Sequence, residues 1–449
     1  MTSSTMTKLT TADIAAALQR NAGDATEIST FTTDSRMVQA GACFFALQGP
    51  NRDASQFAQA ALDAGAALVV AGMAAPLHPR VLRVADPLAA IGAVAALARS
   101  RFEGPVLGIT GSAGKTTLKE HLRTLLPQEW DAVFPEGSYN NFEGLPRTIL
   151  SAQPTARCMV LELGTNAPGE IAALARISAP TAAALTSVGG AHLQGLGNIA
   201  GVLNEKLDLA RALPAGSMLF INADDPVLGA ADLPHGLEVV RLGLHSASGV
   251  RTPAARETNS LRMHAGGERM LHGLSAEVQV RSLWMALCIA EALGVSEAEL
   301  AQASQRVVPA RLRGEVRVVG DSTLVLDCYN ANPLSLRAAL DDLARRPGPR
   351  RAVLGEMLEL GPATEAAHRE VGQQCAALHL DELLLIGPSA AFTAEAAHEA
   401  GLPAACISVC PSTDSARTAF KTLVARGGTV LLKGSRMLAL ERLVEGLHD

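Results

Sequence analysis

Short unbroken apolar runs alternate along this chain with stripes at helical spacing, so strands and helices are expected to take turns from one end to the other. Residues 11–20 and 55–65 read as helices and 31–36, 42–47, 68–70 and 81–84 as short strands. A helix over 87–101 then runs into the joint Phe102-Glu103-Gly104-Pro105. This stretch predicts a small α/β domain over residues 1–100. From Pro105-Val106-Leu107 onward the alternation is that of a mostly parallel sheet. A strand at 157–161 is closed by Glu162, a strand at 182–188 leads into Gly189-Gly190-Ala191-His192, and 199–213 is an amphipathic helix. Residues 245–275 show no period and read as hairpins and loops; helices are expected at 282–293 and 296–307. A second domain is thus predicted over 101–310. Beyond it, strands at 324–327, 352–355, 383–386, 406–409 and 430–433 alternate with helices at 334–345, 365–379, 389–400, 412–425 and 436–446, a doubly wound third domain over 311–449. The expected fold class is α/β in three domains, the central one a phosphate-loop parallel sheet.

Composition narrows the function. At 449 residues the chain exceeds what one hydrophobic core organises. A net charge of −6 gives no basic face for nucleic acid. The longest apolar run, 87–98, is too short to span a bilayer, so a soluble, cytoplasmic protein is expected; a monomer is expected as well. Seven cysteines are scattered without the paired spacing of a zinc site and read as reduced thiols. Aromatics make up 3%, which leaves the core to Ala, Val, Leu and Ile.

The chemistry concentrates at Gly108-Ile109-Thr110-Gly111-Ser112-Ala113-Gly114-Lys115-Thr116-Thr117. A strand, a glycine turn and a helix start aim backbone N–H groups and a positive helix end at one anion. Lys115 adds a charge beside the phosphates, and the Thr116 hydroxyl is placed to reach magnesium. The common phosphate-loop pattern would put glycine at 109, where Ile109 stands instead. The chain has 38 Lys and Arg together, of which only Lys8, Lys115, Lys119, Lys206, Lys421 and Lys433 are lysines, so one in such a loop suggests a task arginine's larger plane cannot perform. Glu162 at a strand end suits metal binding opposite the loop threonine, and His192, just past a strand end, is a functional candidate. Lys206, read by periodicity alone, falls on a solvated face.

Several further segments join the loop in order: Thr33-Asp34-Ser35-Arg36, Asn140-Asn141, Glu162-Leu163-Gly164-Thr165-Asn166, Ala191-His192-Leu193, Lys206, Arg311, Asp327-Cys328-Tyr329-Asn330-Ala331-Asn332-Pro333, Gly355 to Gly361, and Lys433-Gly434-Ser435-Arg436. Together they resemble the Mur ligase family over nearly the whole chain, most closely its dipeptide-adding branch. The resemblance implies ATP and Mg²⁺ as cofactors, UDP-N-acetylmuramoyl-tripeptide and D-alanyl-D-alanine as substrates, and an acyl-phosphate intermediate. It implies an ATP site of Gly111, Ser112, Ala113, Gly114, Lys115, Thr116, Thr117, Asn141, Arg311 and Asp327. It implies a metal site of Thr116, Glu162, His192 and Lys206, with Lys206 carbamylated, and Lys115, His192 and Lys206 as catalytic residues. Substrate contacts would come from Ser35, Arg36, Asn330, Asn332, Lys433, Ser435 and Arg436. The chain departs from the family pattern in four places. The His-Asn pair that reads adenine has no match at 270–290, Asp53-Ala54-Ser55 replaces Asp-Gly-His, Cys328 stands for serine, and Ala310 stands for glycine. Two competitors are a sister ligase, diamino-acid-adding or folylpolyglutamate synthase-like, and a nucleotide-driven switch ATPase.

Overall fold

The computed structural model describes residues 8–21, 24–49, 52–190 and 193–447. Its first domain is a parallel sheet of four strands, β1 (Phe31–Thr32), β2 (Cys43–Ala46), β3 (Leu68–Ala71) and β4 (Val81–Arg83), in that order. Helices α1 (Thr11–Ala17), α2 (Ala58–Asp63) and α3 (Pro87–Ser100) flank it. The strand expected at 31–36 ends after Thr32, because the Asp34 side chain accepts the Arg36 N–H and starts a 3₁₀ turn. Helix α3 is fixed by Asp86, which accepts from Leu88 N and Ala89 N at 2.8 and 3.0 Å, and by Pro87 at its first position. It packs on the next domain, so the first two domains share one apolar core.

That second domain holds β5 (Val106–Thr110), α4 (Lys115–Leu125), α5 (Gly144–Leu150), β6 (Met159–Glu162), α6 (Glu170–Ser178), β7 (Ala182–Leu185), α7 (Ile199–Arg211), β8 (Met218–Asn222) and β9 (Glu238–Leu242). Its five strands are parallel in the order β9-β8-β7-β5-β6, and β5 and β6 are wholly buried. The chain steps from β5 to β6 on one side and returns to β7 on the other, so the strand order reverses at β5. Ligands of such sheets bind at that reversal, beyond the strands' carboxyl ends. The aperiodic stretch forms an antiparallel sheet of β10 (Ala255–Glu257), β11 (Ser260–Arg262) and β12 (Arg269–Leu271). Helices α8 (Glu277–Ala292) and α9 (Glu297–Ser304) follow, α8 starting five residues before its expected position. Both tryptophans, Trp130 and Trp284, lie in the core between this sheet and helices α4 and α8.

The third domain contains β13 (Glu315–Val319), β14 (Ser322–Leu326), α10 (Pro333–Ala344), β15 (Arg350–Gly355), α11 (Thr364–Ala377), β16 (Glu382–Ile386), α12 (Ala390–Glu399), β17 (Ile407–Cys410), α13 (Thr413–Ala425) and β18 (Gly428–Lys433). The sheet order is β13-β14-β18-β15-β16-β17, parallel except for the β13-β14 hairpin. The helix expected at 436–446 is corrected to two 3₁₀ turns, Arg436–Leu438 and Leu440–Leu443. Ala439 sits at φ +47 between them, Thr413 donates to Leu438 O at 2.5 Å, and Leu440 and Leu443 are buried against the sheet. Tertiary packing overrides a good helical sequence there. Among the described residues no helix is long and apolar enough to cross a membrane.

Candidate functional site

Residues from the second and third domains line one cavity of about 780 Å³. On the central side the loop after β5 turns through Gly111 and Gly114. A Cβ at Gly111 would come within 2.0 Å of Thr186 Oγ1, and Gly114 caps α4 at φ +86, a conformation that penalises any side chain. The loop is pinned to the end of β7. Ser112 N donates to Ser187 O at 2.9 Å, Ala113 N to Ser187 Oγ at 2.9 Å, and Thr186 Oγ1 to Ala113 O at 2.5 Å. Lys115 Nζ donates to Gly111 O at 2.6 Å; burial lowers its pKa, the Arg313 charge adds to that, and Glu162 opposes it. Ser112, Ala113, Gly114, Lys115, Thr116, Thr117 and Asn141 all face the cavity, and Asn141 Oδ1 accepts the Gly144 N–H at 2.8 Å to start α5.

Thr116 donates to Glu162 Oε2 at 3.1 Å. Glu162 is 0% exposed, and its Oε1 accepts no hydrogen bond, the nearest cation being Lys119 Nζ at 3.5 Å. A buried carboxylate oxygen left without a donor beside a hydroxyl suits a hard cation with oxygen ligands, so the residues present fit Mg²⁺. Among the described residues no group of three or more His, Cys, Asp or Glu could hold a metal, and His192 lies outside the described residues. Lys206 is 1% exposed on α7, against the reading from periodicity. Burial and then the Lys115 charge bring its amine down to about 7, opposed by Glu205. Neither Glu162 nor Lys206 is on the cavity wall.

The opposite wall is built where three neighbouring parallel strands of the third domain end. After β14 come Asp327 and Tyr329 to Asn332, at the end of β18 Lys433, Ser435 and Arg436, and after β15 Leu358 to Leu360. Lys433 is 2% exposed and donates to Asp327 Oδ2 at 2.7 Å and to Asn330 O at 3.2 Å. Ser435 accepts from Leu358 N at 3.0 Å, and Arg436 pairs with Glu441 at 2.6 Å. Asn332 caps α10, accepting from Ser335 N at 2.9 Å, while its amide donates to Ser112 O of the phosphate loop at 3.1 Å. The Tyr329 hydroxyl also crosses the cavity, hydrogen-bonded to the Ser138 hydroxyl.

The structure does not bring every expected residue here. Arg311 is exposed and off the cavity wall, whereas Arg313 lines it. The Arg313 guanidinium lies 4.1 Å from the Tyr329 ring centroid, with no carboxylate partner among the described residues. The family resemblance points to Arg311 alone, and no motif in the sequence marks Arg313. Ser35 and Arg36 lie in the first domain, away from this cavity, Arg36 paired with Asp34 at 2.6 Å. Gln279 also lines the cavity, and no sequence motif marks it. It is 5% exposed on α8 and donates from Nε2 to Arg313 O at 2.8 Å.

A phosphate loop at the reversal point of a parallel sheet, faced by a second α/β domain across one cavity, defines a multidomain P-loop nucleotide-dependent protein. The family model of the Mur ligase middle domain matches residues 109–282, and that of the Mur ligase glutamate ligase domain matches 312–436. The UDP-N-acetylmuramoyl-tripeptide–D-alanyl-D-alanine ligase of Escherichia coli (strain K12) is 30% identical over 93% of each chain, and that of Bacillus subtilis (strain 168) 28% identical over 94% of each. The crystal structure of MurF from Acinetobacter baumannii superposes with a TM-score of 0.87 at 26% identity, over 98% of this chain and 99% of that one. The MurF ligase of Thermotoga maritima in complex with ADP gives 0.79 at 28%, over 93% and 96%. The chain belongs to the Mur ligase family.

Proposed function

We propose that this chain is the ATP-dependent ligase that joins D-alanyl-D-alanine to UDP-N-acetylmuramoyl-tripeptide in peptidoglycan precursor synthesis. The observation that carries this reading is the pairing of walls in one cavity: a phosphate loop with Lys115 on one, and Asn330, Asn332, Ser435 and Arg436 on the other. The tripeptide carboxylate attacks the γ-phosphorus of ATP, the bond to the bridging oxygen breaks, and ADP leaves an acyl phosphate. The dipeptide amine then attacks the carbonyl carbon, phosphate departs with the C–O electron pair, and the amine proton is released to form the amide. A carboxylate does not acylate an amine unaided, which is why the phosphoryl step comes first. Lys115, the loop N–H groups and Arg313, in place of Arg311, supply positive charge where the transferred phosphoryl group develops negative charge. Asp327, on the cavity wall, would face the ribose.

Thr116, Glu162, His192 and carbamylated Lys206 would hold Mg²⁺, which when bound offsets phosphate charge. A carbamate needs a neutral amine and carbon dioxide, and the burial of Lys206 supports the first of these. By this reading residues 1–100 hold the UDP-sugar through Ser35 and Arg36, 101–310 hold ATP, and 311–449 hold the dipeptide, in a cytoplasmic monomer. The test is phosphate release with UDP-muramoyl-tripeptide, with and without D-alanyl-D-alanine, with the product weighed by mass spectrometry. Sustained release only when both carboxylate and amine are present is expected; equal release from ATP alone would sink the reading in favour of a switch.

A further inference from the structure

Of the six lysines, Lys115 and Lys433 line the cavity, and Lys119 and Lys206 are buried off its wall. Lys119 has no part in the reaction above. It lies one turn past Thr116 on α4 and is 0% exposed. Four oxygens surround its ammonium: Glu120 Oε1 at 2.8 Å, Glu162 Oε1 at 3.5 Å, Pro135 O at 3.2 Å and Gly137 O at 2.7 Å. A compact ammonium with donors radiating from one nitrogen serves acceptors converging from several sides, which arginine's planar fork does not. The Glu162 oxygen it faces is the one that accepts no hydrogen bond, Thr116 having taken the other.

The two carbonyls belong to the segment that leads into Ser138, Asn140 and Asn141 of the cavity wall. Asn140 O in turn accepts Gly164 N at 2.8 Å, and Ser138 meets the Tyr329 hydroxyl of the third domain. One buried cation therefore joins the carboxylate at the end of β6 to the loop against which the third domain rests. Losing a group that orients a metal-binding carboxylate typically costs ~10–100-fold in metal affinity.

We propose that Lys119 is a positioning residue: its ammonium holds the Glu162 carboxylate and the 135–141 loop in one register, so that the metal site and the docking surface for the third domain are set together. This rests on the ligase reading above. Lys119→Met would leave two carbonyls without their donor and the Glu120 and Glu162 carboxylates without their cation, and Lys119→Gln would restore a donor to one carbonyl without bringing charge to Glu162.

The experiment measures ADP affinity of the full chain by calorimetry, in Mg²⁺ and in EDTA, followed by steady-state kinetics. Lys119→Met is expected to lose ~10–100-fold of the affinity that Mg²⁺ adds, with binding in EDTA little changed, and its KM for D-alanyl-D-alanine should rise. Tyr329→Phe should raise that KM while leaving the Mg²⁺ enhancement intact, and Lys119→Gln should show the reverse split. If Lys119→Met does not fold, the Lys119→Gln split decides. An unchanged Mg²⁺ enhancement and unchanged dipeptide KM in a folded Lys119 variant, even with a lowered melting temperature, would overturn the proposal. A wild-type chain that fails to ligate the dipeptide would instead overturn the ligase reading, and the Mg²⁺-ADP measurement would still judge Lys119.

Discussion

At the scale of single residues, two arginines two positions apart separate motif from geometry. Arg313→Ala should lower kcat on the order of 100-fold, as loss of one charge-stabilising donor does, whereas Arg311→Ala should stay within about twofold of wild type. Steady-state assays of the two variants check this, and the reverse ranking would return the role to the residue the family motif indicates. Lys206 gives a prediction with a sign. Its folded amine titrates near 7 against 10.5 for an ordinary lysine, so the unfolded chain binds more protons between those values and stability rises with pH across that window. The neutral share of the amine grows as pH rises from 6 to 8. Bicarbonate-stripped enzyme should therefore regain activity on adding bicarbonate far more readily at pH 8, with a carbamate signal from ¹³C-labelled bicarbonate. Lys206→Arg should remain as inactive as Lys206→Ala; full activity in the arginine variant would remove Lys206 from the metal site.

At the scale of elements, Asn332 carries two jobs that can be pulled apart, since it caps α10 and donates to the phosphate loop. Asn332→Ala should cost about 1 kcal/mol of stability with the cap. Asn332→Asp keeps a capping oxygen and should cost little in denaturant titrations, yet it loses the donor to Ser112 and should still raise the KM for the dipeptide. Which elements were legible follows from what each signal reports. The buried strands β6, β15 and β18 and the phosphate loop announced themselves through apolar runs and turn chemistry that act locally. Helix 436–446 did not form, because Leu440 and Leu443 are drawn to a core whose other half lies far away in sequence. The burial of Lys206 was likewise hidden, since helical period gives a face but not what packs upon it. The convergence of Asp327, Leu358 and Lys433 on one wall required knowing that β18 inserts between β14 and β15, a sheet order that no local pattern encodes.

At the scale of the whole molecule, the third domain touches the nucleotide side through Asn332 and Tyr329, so substrate use and domain approach are linked. Asn330→Ala and Arg436→Ala should raise the KM for D-alanyl-D-alanine more than that for ATP; an equal rise in both would locate the defect in closure instead. The placement of Trp130 and Trp284 in a single core has a practical corollary for optical work. Indole emission excited at long wavelength can report on the central domain alone, and the outer two are dark to it. A denaturation curve followed by that emission should diverge from one followed by far-ultraviolet circular dichroism whenever the third domain, with its own separate apolar clusters, melts independently. Coincident curves would mean that the three domains unfold as one cooperative unit.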